Sequence, residues 1–102
     1  MKLVISPKAL NDLDELWLYI AQDDPVAADG VIDYLQLQLL KLASMPSMGR
    51  VRPDLWPDAY CHSTGKESWR SGFLVFYRIA DSHIEIARII EGHRDISPTL
   101  FE

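Results

Sequence analysis

Arg78, Arg88, His93 and Arg94 crowd toward the end of a 102-residue chain, and together they are the residue types that metal-free phosphodiester cleavage needs. RNA can be cut by its own 2′-hydroxyl when a protein supplies a base, an acid and cationic stabilisation of the pentavalent phosphorane. Two plainer chemistries compete for the stretch "ARIIEGHRDI", residues 87–96. Arginine and histidine at the end of a strand can grip a large partner, since the guanidinium fork suits planar anionic recognition. Alternatively, Arg94 and Asp95 merely tie down the C-terminal tail in a surface pair of little energetic weight.

Other chemistries find less support. Cys61, His62, His83 and His93 fall in no metal-ligand spacing, and the neighbours Cys61 and His62 would point to opposite faces of a strand. No metal and no cofactor is therefore expected. Nothing nearby lowers the Cys61 pKa or orients a base for it, so it reads as idle. Gly49-Arg50 and Gly65-Lys66 lack the companion glycines of a phosphate loop. Trp17, Trp56 and Trp69 read as core or loop anchors, with Trp56, between Leu55 and Pro57, the one expected to be partly exposed.

The elements that must position these residues can be read in order. Leu3 to Ile5 is a short strand; Ser6 then caps a helix with Pro7 at its first position. Ala9, Leu13, Leu16, Trp17 and Ile20 form one apolar stripe, opposite Asp12, Asp14 and Glu15. Asp24 and Pro25 repeat the same start for a second helix running to about Ser44, with a stripe of Ala28, Val31, Ile32, Leu35, Leu39 and Leu42. Leu37 and Leu40 fall off that stripe, so this helix is apolar beyond what one sheet contact needs. "SMPSMGRVRPDLWPDAY" reads as a loop, and a strand is expected somewhere between Tyr60 and Arg70. "GFLVFYRIA" has the continuous apolar character of a strand buried on both faces, and "HIEIARII" alternates as its partner across an Asp81-Ser82 turn. Strict alternation places Arg88 on one face with Ile84, Ile86 and Ile90. The sum is a single α+β domain over residues 1–102, of order β-α-α-β-β-β, with an antiparallel helical hairpin laid over one face of a small antiparallel sheet.

Composition narrows the partners. At 48% hydrophobic the chain can bury a core without staples, and the lone Cys61 excludes an internal disulfide framework. No segment is long or apolar enough for a signal peptide or a membrane span, so a soluble, cytoplasmic protein is expected. A net charge of −5 argues against generic nucleic-acid binding. Its distribution says more: residues 1–49 hold three lysines against seven acids and no arginine, while all six arginines and three histidines lie in the second half. Any working surface should be built there.

With these residues in place, the chain resembles toxins of the RelE/ParE superfamily from bacterial toxin-antitoxin pairs. "SPKALNDLDELWLYIAQDDPVAAD" is similar to the family's first helix and its turn into the second, "LASMPSMGRVRPDL" to its Pro-x-x-Gly-Arg-x-Arg loop, and "FLVFYRIADSHIEIARIIEGHRDI" to the strand pair ending in Arg-Asp. The Gly-Arg loop and the final "RDI....LF" look like the ParE branch, whose known members poison DNA gyrase. "GHR" at Gly92 to Arg94 is also similar to the RelE branch, which cleaves messenger RNA on the ribosome. The absence of a terminal tyrosine and the scarcity of lysine in the strands favour the ParE-like branch.

That resemblance implies a toxin that arrests growth, stabilises plasmids and binds its target without chemistry of its own. It implies a cognate ParD-like antitoxin whose C-terminal segment orders on binding, and leaves open a homodimer or a toxin-antitoxin heterotetramer. Arg88, His93 and Arg94, extended by Arg50 and Arg52, are the expected target-binding surface. Leu37, Leu40 and Trp56 are the expected antitoxin contacts. Should the nuclease alternative hold, Arg78, Arg88, His93 and Arg94 are its catalytic group; a detoxified homologue that only binds antitoxin is the third reading.

Overall fold

A computed structural model describes residues 1–66, 72–92 and 96–98. The chain runs β1 (Lys2–Ile5), α1 (Pro7–Ala21), α2 (Pro25–Ser44), a 3-10 turn at Pro46–Met48, β2 (Arg50–Val51), β3 (Tyr60–Thr64), β4 (Phe73–Ile79) and β5 (His83–Glu91). The strands make one sheet in the order β1-β5-β4-β3-β2.

Both helices start where local chemistry says they should. The Ser6 hydroxyl accepts from the Ala9 N–H at 3.1 Å, and Pro7 occupies the first position, where no N–H is needed. The Asp24 carboxylate accepts from Val26 and Ala27, each at 3.1 Å, ahead of Pro25. The helical stripes then bury Ala9 and Leu13 from α1, and Leu35, Leu39, Leu42 and Ala43 from α2, against Phe73, Val75, Tyr77, Ile84, Ile86 and Ile89 of the sheet. A second, smaller core lies elsewhere: Leu55 and Ala59 of the connection between β2 and β3 pack with Phe76 and Ile90. That is why β4 is buried on both faces, as its unbroken apolar run predicts.

Three expectations need correction. The sheet is mixed, because β1 pairs parallel with β5 while every other pair is antiparallel. The segment read wholly as loop contains β2, a two-residue strand on β3 that the surrounding prolines conceal. Finally, β5 does not alternate strictly. Phe76 stands opposite Arg88 but Tyr77 opposite Ile86, so Ala87 is the extra residue of a β-bulge. Past the bulge the faces exchange: Ile89, not Ile90, joins Ile84 and Ile86 in the main core, and Ile90 packs in the smaller one.

Candidate target-binding surface

The bulge sits where β5 loses its neighbour. Beyond Ile86 there is no β1 residue to pair with, and side chains take over the exposed edge. The Ser6 hydroxyl donates to the Ala87 carbonyl at 2.9 Å, and the Asp12 carboxylate accepts the Ile89 N–H at 3.0 Å. The same carboxylate takes the Arg88 fork, Nε at 2.7 Å and Nη2 at 2.8 Å. Both side chains are largely buried, 14% exposed for Arg88 and 9% for Asp12. Donation to the Asp12 carboxylate raises the Arg88 pKa above its already high value, against the opposing effect of burial. Arg88, expected to present its charge to a target, instead spends its fork inside the fold. Asp12, expected on the solvent face of α1, is its anchor.

The remaining described arginines divide by position. Arg78 faces Glu85 across the β4–β5 ladder with Nε 3.5 Å from the carboxylate, both half-exposed, a pair of small energetic weight. It lines a cleft of about 580 Å³ with Trp56, Glu85 and Pro98. Arg78 and Arg88 therefore answer to different carboxylates on different elements and form no joint cationic centre. Arg52 is forked onto Asp54, at 3.0 and 2.9 Å, and the hydrogen bond with Arg52 holds the Asp54 carboxyl below its ordinary range. Arg50 is exposed and makes no ion pair among the described residues. His93 and Arg94 lie outside the described residues.

Arg50 and Arg52 line a second cleft, of about 430 Å³, with Gly49, Cys61, His62 and Ser63. The loop that carries them is pinned from beneath by Tyr77, which is fully buried and stacked on Tyr60 at 5.4 Å between ring centroids. Its hydroxyl donates to the Pro46 carbonyl at 2.7 Å and accepts the Gly49 N–H at 2.9 Å. A Cβ at Gly49 would come within 2.5 Å of that hydroxyl and 2.9 Å of the Cys61 carbonyl, so the approach requires glycine. Burial pushes the Cys61 thiol up, consistent with an idle side chain. Burial, and then the charge of Lys41 on α2, lower the His62 pKa below 6.5.

Leu37 and Leu40 stand 59% and 58% exposed on the outer face of α2, as their position off the stripe predicts. Trp56 is half-buried against the smaller core, whereas α2 contributes its buried leucines to the larger one. No group of three histidine, cysteine or carboxylate side chains able to hold a metal occurs among the described residues. No helix among them is long and apolar enough to cross a membrane.

Sequence reasoning missed Tyr77 and Asp12. Tyr77 reads as one more apolar residue of β4, and Asp12 as one more solvated acid. The one signal available for Asp12 is the buried side of Arg88, which demands a carboxylate without saying which.

Residues 3–96 match the family described as the ParE toxin of the type II toxin-antitoxin system, parDE. No curated protein sequence matches the chain. Among solved structures, it is similar to a chain described as belonging to the chromosomal ParDE TA system from P. aeruginosa, with 26% identity and a TM-score of 0.70, covering 89% of this chain and 95% of that one.

Proposed function

The chain belongs to the ParE toxin family of type II toxin-antitoxin systems, and from that premise we propose that it arrests growth by binding and inhibiting DNA gyrase until a cognate ParD-like antitoxin neutralises it. The observation that carries the non-catalytic reading is the engagement of the arginines. A nuclease built on Arg78 and Arg88 needs their charges aimed together at one phosphate. Here Glu85 faces one and Asp12 holds the other. The antitoxin is assigned to the outer face of α2 around Leu37 and Leu40, whose exposure leaves apolar area for an amphipathic segment to cover. Target contacts are assigned to Arg50 and Arg52, and to His93 and Arg94, which follow in sequence the strand that Asp12 and Arg88 secure.

Supercoiling by purified gyrase tests this directly. Added toxin should inhibit it, and pre-mixing with the antitoxin should restore it. Intact supercoiling alongside codon-dependent cuts in messenger RNA of a translating extract would replace this reading with the ribosome-dependent nuclease.

A further inference from the structure

Arg50 and Arg52 stand two residues apart at the sheet edge, and the alternation of an extended chain turns both toward one cleft. In a chain of net charge −5, Arg50 is exposed without an ion pair among the described residues. Lys41 adds a third positive charge close enough to act on His62 at the cleft wall. Asp54 compensates Arg52, which leaves the Arg50 charge open to an anion from outside. The site is also built rather than loose: the Tyr77 hydroxyl grips the Pro46 carbonyl and the Gly49 N–H on the turn that delivers Arg50.

The geometry points to an anion-recognition site in this cleft, which takes carboxylates from an acidic segment of a protein partner. Asp54 already shows the chemistry, because its carboxylate occupies the Arg52 fork with two hydrogen bonds. Arg50 offers the same fork to a carboxylate from outside. A carboxylate ligand fits better than a phosphate backbone, since the seven acids of residues 1–49 repel a long polyanion more than a short acidic segment. The inference rests on the toxin reading in identifying the partner with the toxin's target, but the anion chemistry stands on the cleft itself.

Amide NMR spectra of the whole chain, titrated with a hexaglutamate peptide and separately with a short DNA duplex, test it. The peptide should move the Gly49, Arg50 and His62 amides, and Arg50→Ala should weaken its binding about tenfold, as expected for one lost charge-assisted contact. The surface variant Lys8→Ala should bind as the parent does. Shifts confined to other residues, equal binding by Arg50→Ala, or cleft shifts induced by the duplex and not by the peptide would each overturn the assignment. Growth assays separate the two claims. Peptide binding in the cleft together with full growth arrest by Arg50→Glu would overturn the link between cleft and target while leaving gyrase inhibition intact. Intact gyrase activity with specific peptide binding would sink the gyrase reading and sustain the site.

Discussion

Arg88 and Asp12 show how one side chain can change role between sequence and structure. Removing one partner of a largely buried ion pair leaves an uncompensated charge, so Asp12→Ala should lower stability by about 3 kcal/mol in urea unfolding. Replacing both, as Asp12→Leu with Arg88→Met, should recover most of that loss; a double variant no better than the single would show that the bond to the Ile89 N–H, and not the pair, carries the weight. Tyr77→Phe deletes two hydrogen bonds and should cost about 2 kcal/mol. His62 gives a pH signature. Its folded pKa lies below 6.5, so the unfolded chain binds more protons in that range. Its contribution is then complete above about pH 6.5 and is lost as pH falls through the lower, folded value. His62→Gln should flatten that part of the stability profile, and an unchanged slope would refute the assignment. Neither Asp12 nor Tyr77 could be identified as a key residue from sequence, because Asp12 meets Arg88 across 76 residues and Tyr77 meets Pro46 across 31.

At the scale of elements, what was legible was what is decided locally. Ser6-Pro7 and Asp24-Pro25 start helices through contacts within three residues, so sequence suffices to place them. The off-stripe positions of Leu37 and Leu40 likewise predict their exposure from helical geometry alone. The bulge at Ala87 was hidden, since register belongs to a strand pair and no single strand's periodicity contains it. The two-residue β2 was hidden because it exists only through pairing with Tyr60 and Cys61. The exposed face of α2 carries its own prediction. Leu37→Asp with Leu40→Asp should weaken antitoxin binding at least tenfold in calorimetry, because two apolar contacts of roughly 1–2 kcal/mol each are lost. The melting temperature of the free toxin should hardly move, as neither leucine is in the core. Unchanged antitoxin affinity would place the antitoxin on another surface.

For the molecule as a whole, charge and topology divide the labour. The half that forms the helical hairpin holds seven acids against three lysines, while all six arginines lie in the half that forms β2 to β5. On the proposed reading, the antitoxin covers the outer face of α2 and the target meets the edge that carries Arg50 and Arg52, while the second core packs the connection between β2 and β3 against β4. The most direct test of gyrase inhibition as the cellular activity is a pulse-label of DNA and protein synthesis in bacteria, minutes after inducing the chain without antitoxin. The account predicts that DNA synthesis fails first while protein synthesis continues. Protein synthesis failing first would contradict it, and would make the toxin a ribosome-directed nuclease.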